Sequence, residues 1–157
     1  MSETSDLSVR DARMDDSPAL AALMTVLGYP TTPVAMSQGL NRVLADPAFR
    51  TLVATRPGGR VVGFAGFRVG PTFAGDELEG EIVALVVERD ERSKGVGAAI
   101  VRAGEEWAVE RGASTMTLGT RGDRERAHSF YEREGYVADG LRYRKPFGAD
   151  DGPGNLM

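Results

Sequence analysis

The apolar positions switch period several times along the chain, and each switch predicts an element. Residues 7–13 alternate apolar and polar and predict a strand. Leu20, Leu23, Met24 and Leu27 then recur at helical spacing, with Pro18 suited to the first turn and Gly28-Tyr29-Pro30 as a stop. A second helix begins at Thr32-Pro33, runs through Leu40, Val43 and Leu44, and closes at Asp46-Pro47. Residues 51–55 and 60–69 predict strands joined by the hairpin signal Pro57-Gly58-Gly59. A long strand follows over 77–87, then a helix over 95–111 with Val96, Ile100, Ala103 and Trp107 on one face. Residues 114–118 read as a strand, 124–134 as a short helix stopped by Gly135, and 136–147 as a last strand or pair bent at Gly140. The order β-α-α-β-β-β-α-β-α-β suits a mixed sheet with helices on both faces. The chain shows neither internal repeats nor an inter-domain linker, so its 157 residues read as one domain.

The junction between the long strand and its helix carries the first chemical signal. The apolar run 82–87 is followed by Arg92-Ser93-Lys94-Gly95-Val96-Gly97-Ala98. A strand, a basic glycine turn and a helix start form an anion site, because backbone N–H groups converge there and the helix dipole adds positive potential. Gly95 and Gly97 allow close backbone approach and unusual angles. The turn is neither a P-loop nor the dinucleotide fingerprint, since no G-x-x-x-x-G-K-[ST] occurs and position 100 is Ile. By itself it is equally consistent with an ordinary strand-to-helix turn.

Composition narrows the chemistry. There is no cysteine, so disulfides, cysteine-ligated zinc and a cysteine nucleophile are excluded. One histidine, His128, cannot build a histidine metal site, and no metal is expected. The net charge of −4 argues against nucleic acid as a partner and favours a cationic small molecule. The start of the chain is polar and acidic, unlike a signal peptide, and no apolar run is long enough for a membrane span; a cytoplasmic protein is expected.

Two motifs in sequence order carry a family resemblance. Val87, five residues to Arg92, then R-x-x-G-x-G-A resembles the acetyl-CoA motif of the GNAT superfamily of N-acetyltransferases. Ala127-His128-Ser129-Phe130-Tyr131-Glu132-Arg133-Glu134-Gly135-Tyr136 resembles its second signature, A-x-x-F-Y-x-x-x-G-[FY]. The resemblance covers about residues 7–147 and implies an α/β fold with a mixed, mostly antiparallel central sheet flanked by helices. It also implies direct transfer from acetyl-CoA to an amine, and a homodimer, through the C-terminal strands.

On that resemblance the pyrophosphate of acetyl-CoA lies on Arg92, Ser93, Lys94, Gly95, Val96, Gly97 and Ala98. The backbone of Leu85, Val86 and Val87 holds the pantetheine arm, where the strand splays open; a plain buried strand is compatible with this. Strand periodicity places Glu77, Glu79 and Glu81 on one face with Val83, Leu85 and Val87, and mutual repulsion with partial burial is expected to raise one carboxylate toward a base's working range. Glu81, six residues before Val87, is the first candidate for the base and Glu79 the second, because an acidic position of some family members falls on Val83 here. The alternative is a solvated strand end. Tyr131 matches the proton donor to the leaving thiolate, although it also lies on the helix's apolar stripe and could be core alone. Arg124 stands where many members carry Asn, and it or Arg126 could meet a CoA phosphate or simply be solvated. Tyr29 lies where the family overhangs the acceptor, as a stacking group or a packed loop anchor. With Glu79 and Glu81 beside the acceptor, a cationic amine is expected, an aminoglycoside first, a polyamine or protein amine next. A non-catalytic acyl-CoA-binding module and an unrelated nucleotide-binding domain are the rival classes.

Overall fold

Strand alternation and helix punctuation place the elements close to where the pattern predicts. The computed structural model describes residues 6–119 and 125–148. The strands are β1 (Ser8–Asp11), β2 (Phe49–Thr55), β3 (Val61–Pro71), β4 (Leu78–Val87) and β5 (Ala113–Thr117), and the helices are α1 (Ser17–Leu27), α2 (Pro33–Leu44), α3 (Val96–Glu110) and α4 (Glu125–Arg133). Local chemistry sets the ends. Thr32 Oγ1 accepts from the Ala35 N–H at 3.1 Å ahead of α2. Gly28 closes α1 at φ 113°, a conformation that costs a residue with a Cβ. Short 3₁₀ turns precede α1 at Met14–Asp16 and follow β4 at Arg89–Glu91.

The five strands lie in chain order across one sheet. Neighbours are antiparallel except β4 and β5, which run parallel. One core layer, with Leu52, Phe67, Ile82, Ile100 and Trp107, lies between the sheet and α3. The other, with Leu20, Leu40, Val53, Phe64 and Val86, lies under α1 and α2. Helices therefore cover both faces, as the element order predicts.

Two expectations are corrected. The long strand does not alternate evenly: Gly66 pairs with Ala84 while Phe67 pairs with Ile82, so Val83 is an extra residue. This β-bulge reverses which side chains face which layer. Ile82 and Leu85 both pack with the α3 layer, whereas Ala84 and Val86 belong to the α1/α2 layer. Glu79 and Glu81 therefore lie on the sheet face opposite Leu85 and Val87, not beside them.

The predicted last strand is also absent. Residues 136–148 have no strand structure, and Val137, Leu141, Tyr143 and Phe147 are exposed. The strand propensity of this segment is not realised, because a strand also needs a partner strand, and none pairs with it among the described residues.

Candidate active site

The parallel pairing of β4 and β5 is short, and this opens the site. Leu78 through Glu81 pair with β5, whose last partner is Thr117. Beyond Glu81, among the described residues, β4 pairs only with β3. The freed edge at Leu85, Val86 and Val87 lines a cleft of about 840 Å³, within the usual range for a small-molecule site. Backbone N–H and C=O groups along such an edge seek partners.

The basic turn forms another part of the wall. Arg92, Ser93, Gly95, Gly97 and Ala98 line the cleft. Ser93 and Gly95 both have positive φ, 65° and 84°. That conformation is ordinary for Gly95 and strained for Ser93. Gly95 caps α3 without a side-chain hydrogen bond, so the first-turn N–H groups have no side-chain capping acceptor among the described residues. Gly97 does not use an unusual backbone angle. Its missing side chain makes room instead: a Cβ there would sit 3.2 Å from the Phe130 ring. Of the expected donor-binding residues, exposed Lys94 and buried Val96 do not line the cleft. Arg124 lies outside the described residues.

Charge is arranged so that the wall favours an anion. Of the lining carboxylates, Glu91 and Glu134 are each paired with an arginine from outside the cleft, while Glu125 stands in the first turn of α4. Arg56 binds Glu91 at 2.8 Å, Arg60 adds a second contact at 3.2 Å, and Arg102 binds Glu134 at 3.2 Å. Arg89 and Arg126 on the wall are not spent on those carboxylates. Arg126 reaches across from α4 to Ser93 Oγ at 3.3 Å, tying that helix to the turn.

The Glu91 contact was not legible in the sequence, because Arg56 lies 35 positions away. Glu91 is buried, and Arg56 holds its carboxyl below the usual carboxylate range by hydrogen bonding, against the cost of burial. The pair fastens the β2–β3 hairpin beneath the basic turn. Glu91→Gln is expected to raise KM for acetyl-CoA about tenfold with little change in kcat, the signature of lost binding rather than lost chemistry. A group with a lowered folded pKa stabilises above its unfolded value and loses that contribution as pH falls through the folded one. The thermal stability gap between the native chain and Glu91→Gln should accordingly be widest near neutral pH and close below about pH 4. A gap that is constant from pH 7 to 3 would remove the ion pair as its cause.

Tyr131 completes the cleft. It is 5% exposed, and burial pushes its phenol well above the ordinary tyrosine value. Phe130 and Tyr136 meet its ring edge-on, with centroids at 5.0 and 5.7 Å. Tyr136 is itself fixed by donating to Glu105 at 2.6 Å. Among the described residues no hydrogen bond is made by the Tyr131 hydroxyl. A buried phenol so placed has its donor available to whatever enters the cleft.

The carboxylates lie elsewhere. Glu79 and Glu81 sit on the far face of β4, just before the bulge, and do not line the cleft. They are not the mutually repelling group that periodicity suggested. Glu81 binds Arg68 at 3.1 Å and Arg142 at 3.2 Å. Glu79 is exposed and accepts from Thr117 Oγ1 at 3.4 Å. Tyr29 is 5% exposed and packs into the α1/α2 core layer, the loop-anchor placement, and it does not line the cleft.

Residues 14–136 match the model of the Acetyltransferase (GNAT) family. An aminoalkylphosphonate N-acetyltransferase of Salmonella typhimurium is 31% identical over 87% of this chain and 89% of the relative. An aminoglycoside N(6')-acetyltransferase type 1 of Klebsiella aerogenes is 31% identical over 71% of this chain and 75% of the relative. A mycothiol acetyltransferase of Arthrobacter sp. is 33% identical over 59% of this chain, which spans only 28% of that longer relative. The crystal structure of a Trypanosoma brucei acetyltransferase superposes with a TM-score of 0.76 at 25% identity, over 90% of this chain and all of the other.

Proposed function

The chain belongs to the GNAT acetyltransferase family, and from that premise we propose that it transfers an acetyl group from acetyl-CoA directly to a primary amine of a small molecule. One observation carries the reading: among the described residues a turn without a side-chain cap, a strand edge without a partner strand and a buried tyrosine hydroxyl meet in a single cleft. The pyrophosphate fits the turn at Ser93 to Ala98, with Arg92 and Arg126 adding charge. The pantetheine amides fit the free edge at Leu85–Val87.

In the reaction the neutral amine attacks the thioester carbonyl. The carbon–sulfur bond breaks, the thiolate takes a proton from the Tyr131 hydroxyl, and the phenolate is restored through solvent by the proton that the new amide nitrogen gives up. Burial keeps that phenol protonated at neutral pH, as an acid requires. Glu81 receives the ammonium proton through water, with Glu79 as the alternative. The bulge at Val83 sets these carboxylates on the opposite sheet face from Leu85, so donor and acceptor approach β4 from its two sides. No step uses a covalent acetyl-enzyme, in keeping with a chain without cysteine.

For the acceptor, an aminoglycoside agrees with the named activity of the Klebsiella aerogenes relative. An amine bearing an anionic group agrees with that of the Salmonella typhimurium relative, and the two arginines on Glu81 favour it. The test is thiol release from acetyl-CoA against aminoglycosides, polyamines, amino acids, aminoalkyl acids and a basic peptide. Turnover that falls in Glu81→Gln supports the reading. Tight CoA binding with no turnover of any amine would instead support a binding module.

Among the described residues no helix is long and apolar enough to cross a membrane. A cytoplasmic location and a homodimer belong to the same proposal. Exposed Val137, Leu141 and Tyr143 support self-association through the C-terminal segment. Light scattering should give twice the chain mass, and Leu141→Asp should return it to the single-chain value.

A further inference from the structure

A cationic acceptor requires Glu79 and Glu81 to stand as bare negative charge. For Glu81 the structure supplies the opposite surroundings. Glu81 Oε1 accepts from Arg68 Nη2 at 3.1 Å, and Oε2 accepts from Arg142 Nη2 at 3.2 Å. The two arginines come from unrelated parts of the chain, Arg68 from β3 and Arg142 from the segment after α4. Two guanidinium groups on one carboxylate leave a surplus positive charge at this spot. Arg144 and Lys145, both exposed, follow on the same segment.

Donor capacity is left over as well as charge. A guanidinium carries five N–H donors in a planar fork. Among the described residues Arg68 and Arg142 each place one side-chain nitrogen on Glu81 and have no other side-chain bond. Both are about half exposed, at 50% and 53%, so the remaining donors are open to a ligand. A planar array of this kind matches the oxygens of phosphonate, phosphate or carboxylate. Among the described residues Glu79, one strand repeat away on the same sheet face, has only the Thr117 hydroxyl at 3.4 Å.

The position relative to the cleft is the second element. Glu81 is the last β4 residue paired with β5, and the freed edge begins beyond it. Four residues separate it from Leu85, an extended distance of about 13 Å, shortened by the bulge between them. The clamp therefore lies within that distance, along β4, of the freed edge and on the opposite sheet face.

We propose that Arg68 and Arg142 form an oxyanion clamp for the acceptor, which is a short primary amine also bearing a phosphonate, phosphate or carboxylate group. This rests on the acetyltransferase reading of the cleft. The clamp binds the anionic end through the guanidinium donors that Glu81 leaves free, and the amine end lies on the freed-edge side of Glu81. Arg68 and Arg142 set specificity; they touch no reacting atom.

The experiment uses the full chain with acetyl-CoA and acceptors matched in length: 2-aminoethylphosphonate, O-phosphoethanolamine and β-alanine against ethanolamine, with a polycationic aminoglycoside beside them. The oxyanion-bearing amines should exceed ethanolamine in kcat/KM by about tenfold or more, the scale of a charge-assisted hydrogen bond. Arg68→Gln and Arg142→Gln should each collapse that ratio, mainly through KM. Because Arg142 lies outside the sheet, its variant decides the matter if Arg68→Gln folds poorly. Equal use of ethanolamine, preference for the aminoglycoside, or a ratio untouched by either variant would overturn the clamp and leave acetyl transfer standing. Calorimetric titration of the same amines into the CoA-loaded chain separates the two ideas. Oxyanion-dependent binding that weakens in the arginine variants, without turnover of any amine, would keep the clamp and overturn acetyl transfer. No binding and no turnover of the oxyanion amines would overturn the clamp.

Discussion

Tyr131→Phe is expected to lower kcat by about 10²–10³-fold, the range of a general acid in the transition state, with KM for acetyl-CoA nearly unchanged. The ring would stay where it is, wedged edge-on between Phe130 and Tyr136. Its hydroxyl has no hydrogen bond to lose among the described residues, so thermal stability should hold or rise slightly. That separation is what distinguishes a proton donor from a core residue. Burial raises the Tyr131 phenol, and its protonated form is the active one. The alkaline limb of the native rate profile should therefore not fall through the ordinary tyrosine range near pH 10 on its account. A variant with native kcat would reduce Tyr131 to the packing role its apolar stripe already suggests.

The largest stability effect is expected at Gly104, in the middle of α3. In an exposed helix, Gly→Ala is favourable by about 1 kcal/mol. Here a Cβ at Gly104 would overlap the Phe67 ring. Phe67 is fully buried and cannot swing into solvent. Gly104→Val should cost about 3 kcal/mol through overpacking, a fall in melting temperature of roughly 10 °C for a chain of this size. The cause is checked in a double-mutant cycle. In a Phe67→Leu background, Gly104→Ala should be neutral or stabilising, because the ring it strikes is gone. A cost that persists in that background would place the glycine's role elsewhere.

Much of this molecule is visible in its local chemistry. Pro33 after Thr32, Gly28 after Leu27 and the Pro57-Gly58-Gly59 turn act through neighbours a few residues away, so the elements they punctuate are readable in order. The anion-binding turn is likewise local, since Ser93, Gly95 and the helix start lie within a few residues. Tyr131 could be singled out because its signature, from Ala127 to Tyr136, is contiguous.

The partnerships are a different matter. Arg56 meets Glu91, Arg68 and Arg142 meet Glu81, and Phe67 meets Gly104, each across a sequence gap that no periodicity spans. The segment after Tyr136 shows the same limit: it has the residues of a strand and no strand to pair with.

The order and kind of the elements through α4, the basic turn and the tyrosine signature are legible in the chain alone, because each depends on backbone preferences and contacts within a few residues. Only the tertiary structure decided which face of β4 carries which side chains. One additional residue, Val83 opposite β3, moved Glu79 and Glu81 across the sheet from Leu85 and Val87. The two-residue period holds only while a ladder keeps register, and register is a relation between strands that no single strand contains.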